Sequence, residues 1–478
     1  MAKADRDGGY DRFKPDSSGA VAGCGRGHGA VDRENNLQRT FFASGLSSGH
    51  PKLSVPHVQD SAKGLSRRRI ALTVLVPFGL GYYLSYLYRT VNIVIAKPLA
   101  TDLALSAADL GFLTSVYFVV FAAFQTPLGV LLDRHGPRRV QATLLMFAAA
   151  GGALFAISDN FLLLSLARGL IGLGASGCLM AAIKANVLWF PKKRLPLVNG
   201  LTATFGTFGA LSGTVPVEML YGAYGWRIIF VILSVVTVAV SILIFCLVPE
   251  KAGAATGGSG DQSSYRSQLH DLGKIYSSPF FWRVGVVSFV HNSVFLSYQA
   301  LWMGPWLRDV AGRSFSSVAE TLLWFNIGMF VGVLCLGTLA DRLQKLGIKP
   351  VAVMGCGIGV SLVIQCLFAL EQVAIATPLC FAFGFFGSAP LLVFSVFGQT
   401  FPAHLTGRAN TAQNMLSFIG AFAAQWGIGA IINLWPELAD GQYDPAGHRA
   451  ALMTVIGIEL VAFAYFLMPL RRTSGEFR

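Results

Sequence analysis

Long apolar runs alternate with short polar stretches over most of this 478-residue chain. A helix needs about 20 apolar residues to cross the hydrocarbon core of a bilayer, and long unbroken runs are typical of helices rather than of barrel strands. Since backbone groups in lipid must be satisfied internally, each run predicts one transmembrane helix. Twelve runs qualify: 72–96, 108–131, 140–157, 161–188, 197–219, 227–248, 283–304, 317–340, 350–369, 375–398, 411–433 and 450–469.

The composition fits a chain whose solvent is largely lipid. Hydrophobic residues make up 54% of it and charged residues 13%, with a mean hydropathy of +0.57, whereas soluble domains carry about 25% charged residues. A net charge of +13 would suggest nucleic acid for a soluble protein, but basic loops set the topology of a membrane protein. We therefore predict an all-α membrane protein in contact with lipid and without a nucleic-acid partner.

The basic residues also predict an orientation. With the N-terminus placed in the cytoplasm, twenty Lys and Arg residues fall in cytoplasmic loops and flanks and five on the opposite side. This bias predicts a multi-pass protein of the cell (inner) membrane with both termini cytoplasmic. Residues 1–69 are polar and lack the apolar core of a cleavable signal peptide, so they predict a disordered cytoplasmic tail.

Three pairs of similar segments indicate an internal repeat. The offset is 208 residues for Asp133 and Asp341, 211 for Phe190-Pro191 and Phe401-Pro402, and 212 for Leu84-Ser85-Tyr86 and Leu296-Ser297-Tyr298. A duplicated unit places a site between its two copies near the membrane midplane. The predicted organisation is two six-helix pseudo-symmetric bundles, 70–250 and 279–470, joined by a polar cytoplasmic linker, 251–278, and followed by a cytoplasmic tail, 471–478.

The loop Gly129-Val-Leu-Leu-Asp133-Arg134-His-Gly136-Pro-Arg138-Arg139 resembles the signature of the major facilitator superfamily, and the likeness covers about residues 70–472. The resemblance implies a cytoplasmic latch here, with a weaker second copy. Gly129 suits close helix packing, Gly136 suits a tight turn, and Asp133 suits a guanidinium or a helix N-terminus. Alternatively, these charges only set topology. The predicted latch residues are Gly129, Asp133, Arg134, Gly136, Arg138, Arg139, Asp341 and Arg342.

Arg89 is the leading candidate for a substrate ligand, because charges inside a membrane are costly and a guanidinium fork fits carboxylate or phosphate. The segment Tyr82-Tyr83-Leu-Ser-Tyr86-Leu-Tyr88-Arg89 resembles the first helix of organophosphate:phosphate antiporters and organic anion transporters, which implies that Arg89 grips an anion. Those antiporters have a second arginine in helix seven, but Ser297-Tyr298-Gln299 has none here, and the repeat pairs Arg89 with Leu301. This departure favours a monocarboxylate-like or mixed organic anion. Snorkelling of Arg89 to the outer surface is the alternative.

Other polar residues in the spans are predicted to contact substrate. Lys184 is predicted to be a second cationic ligand or a charge partner that moves during gating, with snorkelling as the alternative. Hydrogen-bonding side chains of the first, seventh and eighth spans complete the set, although such residues also serve in packing. They are Tyr86, Tyr298, Gln299, Trp302 and Asn326.

Three residues are candidates for coupling transport to an ion. Glu459 is the carboxylate in the middle of a span, and His291 is a side chain that titrates near neutral pH. Arg168 begins a stretch that resembles the superfamily's fourth-helix arginine motif and is predicted to be structural or coupling rather than a ligand. Hydrogen-bonded packing is the alternative for His291 and its neighbour Asn292, and Glu459 lies in the twelfth span, an outer scaffold position of such a fold.

The chain lacks the signals of other classes of chemistry. Its seven cysteines have no C-x-x-C spacing, and no nucleophile–base pair appears, so we expect no metal, no cofactor and no enzymatic activity. The leading hypothesis is a monomeric secondary active transporter of a small anionic molecule, with a proton or a counter-anion as coupling ion. Two alternatives are an efflux pump for drugs or metabolites and a non-transporting membrane sensor on the same fold.

Overall fold

The computed structural model describes residues 70–191, 194–249, 273–438 and 442–468. All regular elements among these residues are helical, which confirms the predicted all-α class. The predicted N-terminal tail, most of the linker 251–278 and the C-terminal tail lie outside the described residues. The boundaries between tail, bundle and linker therefore stay predictions.

The N-terminal bundle follows a π-helical turn, Ala71–Leu75. Its helices are α1 Val76–Leu103, α2 Ala107–Ile157, α3 Phe161–Ala175, α4 Cys178–Trp189, α5 Leu195–Ser212 and α6 Val215–Leu247. Polar caps set two of the starts: Ser106 and Asp109 form a reciprocal capping box at α2, and the Asn160 side chain accepts a hydrogen bond from the Leu162 N–H at α3.

The C-terminal bundle has more interrupted helices. They are α7 Pro279–Ser297, α8 Met303–Asp309, α9 Phe315–Lys345, α10 Pro350–Ala369, α11 Ala376–Gly387, α12 Val393–Thr400, α13 Ala403–Ile432 and α14 Pro445–Leu467. A π-helical turn, Tyr298–Trp302, joins α7 to α8, and a 3₁₀ turn, Ala389–Leu392, joins α11 to α12.

Ten helical stretches among the described residues are long and apolar enough to cross a membrane. Two features explain why this number is lower than the predicted twelve. Helix α2 has 51 residues and is bent at Gly136, where φ is +77°; its length of about 77 Å provides two crossings of a core about 30 Å thick. Helix α5 is not among the ten. Helix α6, which follows it, is one of the ten and has a bend at Gly225. The count of twelve stays a prediction.

The two bundles pack tightly against each other at one end. We call the end that carries Gly136 and Arg342 the latch face and the opposite end the far face. Toward the far face, a Cβ added at Gly429 of α13 would lie 2.4 Å from the carbonyl oxygen of Ala107 in α2. This contact between backbones makes the far face a closed end of the interface.

Candidate functional site

A cavity of about 320 Å³ lies between the bundles, on the latch-face side of these contacts. This volume suits a small molecule. The polar residues of its wall are Tyr82, Ser85, Tyr86, Arg89, Gln125, Ser176, Asn292, Gln299, Ser388 and Asn414. The larger apolar residues are Phe121, Leu179, Met180, Phe295, Leu296, Met329, Leu391, Phe394 and Phe418. Among the described residues, Arg89 is therefore the one in this lining with a fixed charge.

The Arg89 guanidinium is held by aromatic rings. Its central carbon lies 4.6 Å from the centre of the Tyr86 ring, 5.3 Å from Phe418, 5.8 Å from Tyr117 and 5.9 Å from Phe121. These distances are in the range of cation–π attraction, and Phe418 belongs to the opposite bundle.

Arg89 is nevertheless incompletely satisfied. The residue is only 6% exposed, and its buried Nε has no hydrogen-bond partner within residues 70–191, 194–249, 273–438 and 442–468. No ion pair among the described parts of the chain involves it. An unpaired buried charge is costly unless something compensates it. The cavity thus gives an anionic group access to this guanidinium.

Gln299 lies on the opposite wall in the position that corresponds to Arg89. On α1, residues 82, 85, 86 and 89 face the cavity, and on α7 and its π-turn, residues 292, 295, 296 and 299 face it. The spacing is identical and the offset is 210 residues. The sequence-based pairing of Arg89 with Leu301 is therefore corrected to Gln299. The place of a second arginine holds an uncharged amide.

Asn326 supports Gln299 from behind. The Gln299 Nε2 donates to Asn326 Oδ1 at 3.2 Å and contacts Met329 Sδ at 2.9 Å. Asn326 Nδ2 in turn donates to the Leu322 carbonyl at 2.9 Å. Asn326 is 1% exposed and does not line the cavity, so it positions the amide that does.

Tyr298 and Trp302 point away from the cavity. Tyr298 is buried against Phe383, with ring centres 6.3 Å apart, and Trp302 Nε1 donates to the Gln425 carbonyl at 2.8 Å. A π-turn holds more residues than an α-turn, so it rotates the side chains that follow. Trp302, which follows Gln299 in this turn, is thereby rotated off the cavity face, whereas Tyr298 precedes Gln299 and lies on another face by helical spacing alone.

Lys184 lies with the latch rather than with the cavity. Its Nζ is 2.6 Å from both Asp133 Oδ1 and the Leu132 carbonyl. The bridge is solvent-accessible, since the Asp133 side chain is 83% exposed. The structure therefore favours the predicted charge partner over the predicted second ligand, and Asp133 bonds an ammonium instead of a guanidinium.

The remaining latch residues form a tight turn, a hydrogen bond to α6 and a set of exposed charges. Gly136 has the positive φ of the predicted tight turn, and Arg138 Nε donates to the Phe245 carbonyl at 2.9 Å. A Cβ at Gly129 would meet nothing within 4 Å, so the predicted close packing at Gly129 is absent in this conformation. Arg134 and Arg139 lie exposed on α2, on either side of the bend at Gly136, and Asp341 and Arg342 lie exposed near the end of α9.

The three coupling candidates occupy two places. Arg168 is packed inside the N-terminal bundle, where its Nη1 lies 3.4 Å from the Tyr88 carbonyl. His291 and Glu459, predicted separately, meet in the C-terminal bundle: His291 Nδ1 is 2.6 Å from Glu459 Oε2. Both are about 1% exposed at the side chain, and neither lines the cavity.

Several cavity residues were not predicted, among them Ser176 and Ser388. Ser176 lies in the break between α3 and α4, and Ser388 in the break between α11 and α12. They are 212 residues apart, which is an offset of the internal repeat. A serine beside a glycine or proline inside an apolar span is the signal that could have identified them. Gln125 and Asn414 had only their polarity as a signal.

The described residues contain no group of three His, Cys, Asp or Glu side chains placed to hold a metal ion.

Two helical bundles around one central cavity at membrane depth define a polytopic membrane protein of the solute-carrier type. The family model of the Major Facilitator Superfamily matches residues 78–425. The chain belongs to this superfamily.

Curated relatives cover parts of the chain at low identity. The probable sulfoacetate transporter SauU of Cupriavidus necator is 26% identical over 56% of this chain and 64% of its own length. A hexuronate transporter of Bacillus subtilis is 27% identical over 57% and 65%. The chain thus spans just under two thirds of these relatives. The membrane sensor protein UhpC of Escherichia coli is 22% identical over 84% of this chain and 92% of its own length.

Solved structures share the fold. A bacterial homologue of the human lysosomal transporter Spinster, in an inward-facing and unoccupied conformation, has a TM-score of 0.70 at 17% identity, over 84% of this chain and 97% of that one. A D-xylose–proton symporter has a TM-score of 0.63 at 14% identity, over 84% and 99%. These likenesses establish the architecture.

Proposed function

We propose that this protein transports a small organic monoanion across the membrane by alternating access, with Arg89 as the ligand of the anionic group. One observation carries the proposal: the central cavity contains a buried guanidinium whose Nε is unpaired in the part of the chain that the structure describes. Binding of a carboxylate or sulfonate satisfies this group through charge-assisted hydrogen bonds. The sulfoacetate and hexuronate named for two relatives are anions, which supports the same class.

The lining residues favour a single negative charge. Arg89 is the one fixed cation in the wall, and the corresponding position on α7 holds Gln299. A second negative charge on the ligand would enter a site of low dielectric without a partner. Asn292 and Asn414 offer uncharged hydrogen bonds on the latch-face side. We therefore propose a monoanion with a polar, uncharged body.

The arrangement of the bundles supports alternating access. The far face is closed by contacts such as Gln425 Nε2 to Thr114 Oγ1, 2.6 Å, and the cavity lies on the latch-face side of them. With both termini in the cytoplasm, this conformation is the inward-facing one. Exchange of substrate with the other side requires these contacts to separate, as expected for rocking of two repeats around one site.

Thermal unfolding of the purified protein tests the proposal. A ligand of the native state raises stability by mass action. The probes are glucuronate and benzoate as monoanions, succinate as a dianion, glucose 6-phosphate as a phosphate ester and tetraphenylphosphonium as a lipophilic cation. At least one monoanion is expected to stabilise the parent protein and not Arg89→Gln. Equal stabilisation of both proteins by the cation would contradict the anion site and favour efflux.

A second candidate function is a membrane sensor that binds an anion without moving it. The match to UhpC over 84% of this chain favours it. Counterflow of the stabilising anion in proteoliposomes separates the two functions. Exchange of labelled anion that is lost in Arg89→Gln supports transport, and tight binding without exchange supports the sensor.

A further inference from the structure

The polar side chains that line the central cavity fall into two groups by their hydrogen-bonding chemistry. In one group the direction is free, because a phenol hydroxyl can donate or accept and an amide can turn over unless a neighbour holds it. The members of this group are Tyr82, Tyr86, Asn292 and Asn414. In the other group, contacts within the wall fix which atom remains for a ligand. The second group therefore determines what a ligand must offer.

The Gln299 amide is oriented by a chain of contacts that starts at a backbone carbonyl. The Leu322 carbonyl can only accept, so it takes the Asn326 Nδ2–H at 2.9 Å and leaves Asn326 Oδ1 as an acceptor for Gln299. Gln299 Nε2 donates to this oxygen at 3.2 Å and lies 2.9 Å from Met329 Sδ. Both hydrogens of the nitrogen thus have acceptors. Gln299 Oε1 has no partner in the part of the chain that the structure describes, and it is the atom left for a ligand.

Gln125 of α2 is oriented in a similar way in the other bundle. Its Nε2 donates at 3.3 Å to the carbonyl of Ser176, in the break between α3 and α4. Since a carbonyl cannot donate, the amide nitrogen and not the amide oxygen must face it. Gln125 lines the cavity, and its Oε1 has no hydrogen-bond partner within residues 70–191, 194–249, 273–438 and 442–468. Each bundle therefore contributes one amide oxygen to the cavity wall.

Three serines of the lining add acceptors and no donor. Their hydroxyl hydrogens are directed at backbone carbonyls: Ser85 at Ala175 (3.4 Å), Ser176 at Leu173 (2.6 Å) and Ser388 at Phe385 (2.7 Å). A hydroxyl has a single hydrogen, so each serine has only lone pairs for a ligand. We call these three hydroxyl oxygens and the two amide oxygens of Gln125 and Gln299 the acceptor surface.

An acceptor surface beside one guanidinium makes specific demands on a ligand. Arg89 binds the anionic group, and the rest of the ligand must donate hydrogen bonds, because two acceptors that face each other in a buried site both lose their hydration without compensation. An ammonium group donates, but the lining includes no Asp or Glu among the described residues to pair with its charge. Hydroxyl groups donate without carrying a charge.

We propose that the acceptor surface selects a monoanion whose body carries hydroxyl donors, and that it rejects monoanions whose polar groups only accept. Gln125 and Gln299 determine this specificity, and Asn326 is a positioning residue that acts through Gln299. The inference rests on the proposed function, since it concerns the same site, and it names the chemistry of the ligand beyond its charge. The second carboxylate of a dianion is excluded for the same reason, because it would face oxygen atoms.

Ligands on one six-carbon skeleton test the acceptor surface in the parent protein. Gluconate has a hydroxyl on every carbon after the carboxylate, and hexanoate has none. The 4- and 5-hydroxyhexanoates carry one donor, and the 4- and 5-oxohexanoates carry an acceptor at the same carbon. Isothermal titration should show gluconate binding at least about tenfold more tightly than hexanoate. At least one hydroxyhexanoate should bind about threefold more tightly than its oxo counterpart.

The outcome of this titration separates the inference from the proposed function. Equal affinities for gluconate and hexanoate, or oxo acids that bind as tightly as the hydroxy acids at both carbons, overturn the acceptor surface. In that case the proposed function stands if the bound anion is lost in Arg89→Gln. A parent protein that binds none of these monoanions contradicts both.

Replacement of each glutamine tests the two amide oxygens. Gln299→Met and Gln125→Met each remove one acceptor and should weaken gluconate binding about tenfold, with hexanoate affinity within about twofold of the parent. Gln413→Met is the matched control, since the Gln413 amide donates to the Gly285 carbonyl at 3.2 Å and does not line the cavity. It should leave the ratio of the two affinities unchanged. A ratio that is also unchanged in both cavity variants overturns the assignment.

Replacement of Asn326 tests the orientation of Gln299 through a gain of binding. In Asn326→Leu the amide of Gln299 is free to turn over and to present Nε2–H, so the oxohexanoates should gain affinity relative to the hydroxyhexanoates. A merely structural role would lower both affinities alike. Asn326→Asp should keep the parent preference, because a protonated carboxyl can donate to the Leu322 carbonyl and accept from Gln299. An unchanged preference in Asn326→Leu, or a reversal in Asn326→Asp, overturns the positioning role.

Discussion

Arg89 and Arg168 are both buried in the N-terminal bundle, both lie against aromatic rings, and both leave guanidinium nitrogens unpaired. Their surroundings differ. Arg89 faces a cavity of about 320 Å³ between the bundles. Arg168 is fully enclosed, with its central carbon 4.6 Å from the Phe155 ring and 5.4 Å from the Phe230 ring. Arg89 has room for an anion beside it, and Arg168 has none.

The difference separates two uses of an arginine in a membrane. A buried guanidinium without a partner is electrostatically unfavourable. When an anion binds beside it, this penalty is removed, and the free energy recovered contributes to the affinity for the anion. An unpaired guanidinium in a packed interior stays unrelieved, and the side chain then contributes through its volume and its cation–π contacts. Burial and charge alone therefore do not identify a ligand, and the adjoining space does.

The largest expected effect is on stability. Arg168→Ala removes a fully buried side chain from between Phe155 and Phe230 and should lower the free energy of unfolding by about 3 kcal/mol, as in other large-to-small core changes. Arg168→Met keeps most of the volume and should recover much of the loss. Arg89→Ala only enlarges an existing cavity and should cost less than about 1 kcal/mol. Thermal unfolding measures all three, and a greater loss for Arg89→Ala would reverse the comparison.

The sequence predicts the helices, the turn at Gly136 and the inward position of Arg89 because each depends on local pattern. Apolar length defines a span, a glycine permits positive φ, and helical spacing puts Tyr82, Tyr86 and Arg89 on one face. The sequence repeat, with its offset of 212 residues at Leu84-Ser85-Tyr86, pairs Arg89 with Leu301 and misses Gln299 by two positions, because matching residue types do not show which face of each helix meets the cavity.

Contacts between distant segments escape sequence reasoning for a different reason. Lys184 and Asp133 are 51 residues apart, and His291 and Glu459 are 168 apart. Periodicity shows which residues share a helix face but not which neighbouring helix that face meets. His291 and Glu459 could thus be predicted singly as titratable groups and not as a pair.

Replacement of each arginine by lysine compares the contributions of Arg89 and Arg168 to anion affinity. A lysine keeps the charge and loses the planar fork that matches a carboxylate. Arg89→Lys should weaken binding of the stabilising monoanion about tenfold, or about 1.4 kcal/mol. Arg168→Lys should leave the affinity within about twofold, since Arg168 does not reach the cavity. Isothermal titration of the purified variants measures both affinities. A similar loss of anion affinity in both variants would mean that Arg168 acts on the site.

Tyr86 and Tyr88, on the same helix as Arg89, allow the same comparison between a cavity-lining and an enclosed side chain. Tyr88 is 1% exposed, and its hydroxyl lies 3.2 Å from Thr237 Oγ1. Tyr88→Phe should therefore cost about 1 kcal/mol of stability and leave anion affinity unchanged. Tyr86→Phe should cost less stability than Tyr88→Phe, because Tyr86 lines the cavity. Unfolding curves of both variants, with and without the monoanion, separate the two residues. A stability loss from Tyr86→Phe alone would contradict the assignment.

The smallest expected effect concerns the rings around each guanidinium. Phe418 of α13 lies 5.3 Å from Arg89 and reaches it from the opposite bundle. Phe418→Leu removes one cation–π contact that holds the guanidinium in place and should reduce anion affinity about threefold, or about 0.6 kcal/mol. Phe230→Leu removes the equivalent contact from Arg168 and should change stability but not affinity. Titration with the monoanion measures both, and an affinity loss confined to Phe230→Leu would place the ligand beside Arg168 and not beside Arg89.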